Sequence, residues 1–123
     1  MKRSDTVSIT PKRWHIYTVD LEPRVGTKPG KQRPCLAIQP NEFVEAGLKS
    51  TVVIPITSKI TPGNAFPLRV TIPKDIAGLV HASDLLIDQI LAWDNTLFRQ
   101  EMGALPEYLI EEVKAAIMDF LDL

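Results

Sequence analysis

Three short stretches of this chain carry side chains able to meet a phosphate or move a proton. The first is Gly30-Lys31-Gln32-Arg33-Pro34-Cys35-Leu36-Ala37-Ile38, a basic, glycine-bearing loop that runs into an apolar segment, with Thr27 and Lys28 just ahead of it. The second is Thr57-Ser58-Lys59 and the third is Asp88-Gln89. Glycine supplies permissive backbone, a proline after Arg33 holds that residue extended, and guanidinium and ammonium groups complement phosphate charge. Such a stretch binds a phosphate, or it is a solvated loop before a strand. The residues alone leave both readings open.

Other chemistries are poorly served. Cys35 is the single cysteine and lies in an apolar run, the setting of a buried thiol; it excludes an intrachain disulfide and suits a reducing compartment. His15 and His81 are too far apart for a zinc spacing, and Asp84 and Asp88 on one short strand rarely complete a cation's oxygen shell. No metal and no cofactor is therefore expected. A phosphate-cradling Gly-x-x-x-x-Gly-Lys loop and a nucleophile elbow are both missing from the sequence.

The elements that must position these residues can be read in outline. Residues 1–13 are polar and are expected to form a flexible arm, with 14–123 as a single domain. Trp14 to Asp20 is rich in aromatic and β-branched residues and predicts a first strand. A long loop from Leu21 to Arg33 follows, then a strand over Cys35–Gln39 buried on both faces. Pro40 to Ser50 reads as a connection with one helical turn near Glu42–Gly47. Thr51–Thr57 predicts a third strand, in which Pro55 suggests an edge or a bulge. Alternation over Phe66–Ile72 predicts a half-buried strand, Leu85–Leu91 another, and Glu101–Leu105 a short last one after a helical turn near Asn95–Arg99. Beyond Pro106, the residues Leu109, Ile110, Val113, Ala116, Ile117, Phe120 and Leu121 recur at helical steps and form one apolar stripe. The fold class is α+β: a small, strongly bent sheet or barrel of short strands, closed by a C-terminal amphipathic helix.

Composition agrees. The 123 residues are 45% apolar and 24% charged, as in an ordinary globular protein. A net charge of −1 hides an asymmetry: residues 1–33 carry eight Lys/Arg against three acids, whereas residues 84–123 carry two against nine. Near neutrality argues against nonspecific duplex binding, while the basic first quarter leaves room for a local anionic site. No apolar run is long enough to span a bilayer and no signal core follows the N-terminus, so a soluble cytoplasmic protein is expected.

Four pieces together carry a resemblance. They are Tyr17-Thr18-Val19-Asp20-Leu21-Glu22-Pro23 with Val25-Gly26, then Gly30 to Ile38, then Thr51-Val52-Val53-Ile54-Pro55-Ile56-Thr57-Ser58, and last Leu86-Ile87-Asp88-Gln89-Ile90. In this order and spacing, from about Trp14 to the C-terminus, the chain resembles the MazF/PemK (Kid-like) toxins of type II toxin–antitoxin systems. The resemblance implies an SH3-like, CcdB/MazF-type fold of five to seven strands and a homodimer. It also implies metal-independent, sequence-selective cleavage of single-stranded RNA to a 2′,3′-cyclic phosphate and a 5′-hydroxyl. A cognate MazE/PemI-like antitoxin is the implied partner, no membrane is, and DNA enters only through a toxin–antitoxin complex. The family's catalytic arginine and threonine fall on Arg33 and Thr57. Asp88 and Gln89 match residues of the substrate groove, and Thr27, Lys28, Lys31, Gln32, Ser58 and Lys59 are candidate RNA contacts.

The chain departs from the family at His15, where an acid is usual, and at Lys28 in the loop. Leu86 and Leu91 stand where family arginines lie. These changes bear on cleavage specificity and on strength of activity. Two alternatives accompany the main reading: a non-catalytic, CcdB-like toxin that binds gyrase, and a folded family member that does not cleave.

Overall fold

The computed structural model describes residues 9–22, 31–63 and 65–123. Thr27, Lys28, Gly30, most of the Leu21–Arg33 loop and the first part of the expected arm lie outside the described residues. Residues 9–13 are tied to the domain: Pro11 is buried, the Lys12 N–H donates to the Tyr17 hydroxyl at 2.8 Å, and Arg13 Nε donates to the Ile38 carbonyl at 2.7 Å.

Among the described residues, seven strands and two α-helices follow in order. They are β1 (His15–Glu22), β2 (Lys31–Ala37), α1 (Asn41–Glu45), β3 (Ser50–Thr57), β4 (Arg69–Ile72), β5 (Ser83–Leu86), β6 (Leu91–Asp94), β7 (Phe98–Ala104) and α2 (Glu107–Leu121). Neighbours pair antiparallel in the order β4-β5-β3-β2-β1-β7, and β6 also pairs with β3. The architecture is the strongly bent sheet with a C-terminal helix that the strand and helix patterns predict.

Strand periodicity builds a core on each face of the sheet. Side chains alternate across a strand, so Ile16, Leu36 and Ile54 point to one side while Tyr17, Val19, Cys35, Ala37 and Val53 point to the other. The first set packs with Leu85, Ile87 and the buried face of α2, namely Leu109, Val113 and Ala116. The second closes with Phe98, whose ring meets Tyr17 edge-on at 5.6 Å. Each fully buried Leu, Ile or Val contributes roughly 1.5–3 kcal/mol of apolar transfer free energy.

Several expectations are corrected. β1 begins at His15 because Trp14 takes a left-handed φ of 70°, held by its N–H on the Ala37 carbonyl and its carbonyl on the Leu105 N–H. Pro55 marks neither an edge nor a bulge: β3 is interior, and Pro55 pairs with Cys35. On its other side β3 changes partner, from β6 at Val53↔Leu91 to β5 at Ile56↔Leu85, so the missing N–H falls where that ladder is interrupted. Phe66 and Leu68 are exposed and precede β4, which keeps only the alternation of buried Val70 and Ile72 with Arg69 and Thr71. The expected Leu85–Leu91 strand is split by a 3₁₀ turn over Ile87–Gln89, while the last strand is longer than expected. Pro106 caps α2 from outside its first turn, and Phe120 and Leu121 at the far end of the apolar stripe stay exposed.

The segment between β4 and β5 is held tightly. Asp75, Ala77 and Gly78 all have positive φ, and the Asp75 N–H donates to the Leu79 carbonyl at 2.7 Å. A Cβ on Gly78 would stand 2.2 Å from the Met102 carbonyl oxygen, and one on Gly103 would stand 2.6 Å from the Ala77 carbonyl carbon. Two glycines thus let this loop and β7 touch backbone to backbone, and Leu79 is buried below.

Candidate active site

Arg33 lies near the outer end of β2 and Thr57 at the end of β3. The β2–β3 register runs Ala37↔Val53, Leu36↔Ile54, Cys35↔Pro55, and two further residues along each antiparallel strand lead to Arg33 and Thr57. Both share the face of Cys35 and Val53, at the point where that core gives way to the surface. Both are half-buried. The Arg33 guanidinium has no hydrogen bond or ion pair among the described residues, whereas Thr57 Oγ1 accepts the Lys59 N–H at 3.2 Å, which shapes the turn after β3.

Two clefts meet at this pair. One, of about 440 Å³, is lined by Lys31, Gln32, Arg33, Thr57, Ser58 and Lys59 and by Leu79, Val80, His81 and Ser83 of the segment leading into β5. The other, of about 430 Å³, has the apolar walls Leu21, Pro55, Leu86 and Leu91, with Gln89 as its one amide beside Arg33 and Thr57. The first is cationic and suits a sugar–phosphate chain; the second is apolar with one donor–acceptor group and suits a planar base.

The structure therefore brings Lys31, Gln32, Arg33, Thr57, Ser58, Lys59 and Gln89 around one junction. Asp88 lines neither cleft: its Oδ1 accepts from Arg69 Nη1 at 2.7 Å on the outer surface. His81 and Leu21 line these clefts without having carried a binding role in the sequence, where no motif contains His81 and Leu21 reads as the start of the long loop; Leu91, which stands where the family has an arginine, lines the apolar cleft. Cys35 is fully buried, and burial pushes its thiol up to about 12, against a smaller opposing pull from Arg33. It is packing, with no thiolate to offer. His15 Nδ1 lies 3.0 Å from Glu101 Oε2 across β1 and β7, away from the clefts. Among the described residues, no group of three or more His, Cys, Asp or Glu side chains is placed to hold a metal ion. Nor is any described helix long and apolar enough to cross a membrane.

Comparison with known proteins gives the same direction. The chain is 32% identical over 111 residues to endoribonuclease MazF2 of Mycobacterium bovis, covering 90% of this chain and 96% of that protein. It is 30% identical over 112 residues to endoribonuclease EndoA of Bacillus subtilis, covering 91% and 95%. Its fold matches the MazE–MazF complex of Deinococcus radiodurans with a TM-score of 0.74 at 21% identity, covering 94% of this chain and 98% of that one. It also matches Mycobacterium tuberculosis toxin MazF-mt6 with a TM-score of 0.71 at 22% identity, covering 89% and 97%. Residues 12–121 match the profile of the PemK-like, MazF-like toxins of type II toxin–antitoxin systems, and the chain belongs to that family.

Proposed function

We propose that this toxin is a sequence-selective endoribonuclease that cuts single-stranded RNA at the junction of the two clefts, with Arg33 and Thr57 as its catalytic pair. The observation that carries the reading is their meeting: a guanidinium without a hydrogen bond among the described residues and a hydroxyl on neighbouring strands, both lining a cationic groove and an apolar one. Relatives named endoribonucleases, alike over nine-tenths of the chain, support it.

Ribose brings its own nucleophile. When the 2′-hydroxyl attacks the adjacent phosphorus, negative charge accumulates on the phosphoryl oxygens, and the protein's task is to orient the chain and meet that charge. The planar fork of Arg33 matches two such oxygens. A guanidinium stays protonated at any working pH, so Arg33 stabilises charge rather than removing the proton. The Thr57 hydroxyl holds a phosphoryl oxygen or the 2′-hydroxyl, and Lys31 and Lys59 contact neighbouring phosphates. Lys28 and Thr27 join them as proposed RNA contacts ahead of β2. Asp88 contributes by fixing Arg69 at the back of the Gln89 turn, an indirect part in RNA binding.

We further propose neutralisation by a cognate antitoxin in the cytoplasm, supported by the fold match to a mycobacterial endoribonuclease described in complex with its cognate antitoxin. A homodimer is part of the same reading. Met118, Phe120, Leu121 and Leu123 leave an apolar patch at the end of α2 that a second copy would cover.

The test is cleavage of a long single-stranded RNA in EDTA by wild type, Arg33→Ala and Thr57→Ala. Discrete fragments bearing 5′-hydroxyl ends from the wild type alone support the proposal. An uncut RNA pool, or growth inhibition undiminished by Arg33→Ala, would sink it in favour of a toxin acting through protein contact.

A further inference from the structure

Attack by the 2′-hydroxyl forms the O2′–P bond while the P–O5′ bond breaks. The O2′ proton must leave, and the departing O5′ must gain one. The cationic cleft contains few groups able to accept that first proton. Lys31 and Arg33 from β2 and Lys59 after β3 belong to types that have no free lone pair near neutral pH, and Gln32, Thr57, Ser58 and Ser83 are not bases there. No carboxylate is among the described lining residues. Among the described residues, two nearby acids are engaged elsewhere: buried Asp84 accepts from the Thr61 N–H at 3.0 Å and the Thr71 hydroxyl at 2.6 Å, and Asp88 holds Arg69.

One lining residue remains. We propose that His81 is the proton acceptor for the attacking 2′-hydroxyl in this cleft, an inference that rests on the endoribonuclease reading above. An imidazole is the side chain able to take and return a proton between about pH 5 and 8. It lines the same cleft as Lys31, Arg33, Thr57 and Lys59, on the loop before β5. That loop is a rigid platform: Gly78 abuts the Met102 backbone, Leu79 is buried, and the Ser83 hydroxyl donates to the His81 carbonyl at 3.0 Å. Lys74 and Asp75 are the other charged residues of the loop, and neither lines the cleft. The imidazole itself is exposed at the mouth and free to meet RNA. During the step the O2′ proton passes to a ring nitrogen of His81. The P–O5′ electron pair leaves on O5′, which takes a proton from solvent at the mouth, and His81 then releases its proton to water.

The experiment measures kcat/KM against pH for wild type, His81→Gln and His81→Ala on one RNA. The wild type is expected to rise with unit slope across the imidazole range and then level off. His81→Gln should fall about 100-fold or more on the plateau and lose that acid limb. Its affinity for RNA carrying a 2′-deoxy residue at the cut site should stay within about threefold, since only a proton transfer is removed. Added imidazole should restore His81→Ala. An acid limb that persists in His81→Gln overturns the proposal, whatever the rescue shows. Wild type that cuts while His81→Gln keeps its profile removes His81 alone; wild type that cuts nothing removes the endoribonuclease reading and this inference with it.

Discussion

Arg33 on β2 and Thr57 on β3 each lie two residues outward from the pair Cys35↔Pro55, and both line the same two clefts. On the proposed mechanism both side chains meet one phosphate and act as a unit, so their losses should not add. Arg33→Ala and Thr57→Ala are each expected to lower kcat by about 10²–10³, and the double variant by little more than the worse single one. Arg33→Lys should recover little, because a point charge does not reproduce the fork. Single-turnover cleavage of one RNA by all four variants checks this.

Gln89 is the amide in the apolar cleft. If it reads a base edge, Gln89→Leu should lower kcat/KM for the preferred motif by about 10–100-fold while hardly changing a poor one. Sequencing the fragment ends from a complex RNA pool should show a relaxed motif with an unchanged melting temperature.

Asp84 is 1% exposed and serves the Thr61 N–H and the Thr71 hydroxyl, joining the turn after β3 to β4 and β5. Asp84→Leu removes both acceptors and should cost about 1–3 kcal/mol of stability, read by urea unfolding. Part of the lost activity should return with added osmolyte, because no reacting group has been removed.

Gly78→Ala meets two penalties at once: φ of 83° and a Cβ 2.2 Å from the Met102 oxygen. Gly63→Ala has positive φ as well, with nothing within 4 Å. The first should destabilise by several kcal/mol, about 3 or more, and the second by about 1 kcal/mol. Melting curves of the two variants make the comparison.

Cys35 holds its proton more tightly folded than unfolded, with its thiol pushed from 9.0 up to about 12 by burial. Its contribution to stability is complete below about pH 9 and is lost as pH rises toward 12, at up to about 1.4 kcal/mol per pH unit, because only the unfolded chain ionises there. Iodoacetamide should leave native Cys35 untouched at pH 8 and label it on unfolding. Denaturant titrations from pH 8 to 10.5 should show the midpoint of Cys35→Ala falling less steeply than that of wild type.

Local patterns exposed much of this molecule. Runs of apolar, aromatic and β-branched residues mark β1, β2 and β3, and the steps of Leu109, Val113 and Ala116 mark α2, because burial writes itself directly into residue composition and order. What escaped is non-local. Phe66 and Leu68 continue the alternation of β4 without being covered by it, and Ile87–Gln89 turns where apolar residues suggested a continuous strand. Pro55 reads as an edge residue until the partner change along β3 is known. At the site, Arg33 and Thr57 were legible through the resemblance of their flanking motifs. His81 was weighed only as a metal ligand, since nothing near it in sequence shows that the loop before β5 folds over toward Lys31.

The partner change along β3 also divides the sheet into two panels. β1, β2, β6 and β7 share one hydrogen-bonded ladder, while β4 and β5 join it through Ile56↔Leu85 and Thr57↔Asp84. β3 changes partner at Pro55, so the amides of β4 and β5 should exchange with solvent together and ahead of those in β2. Arg33 belongs to the first panel and Thr57 sits on the seam, while the loop that carries His81 is pinned to β7 where Gly78 meets Met102. The cationic cleft is therefore bounded by both panels and tied across at Thr57 and at Gly78.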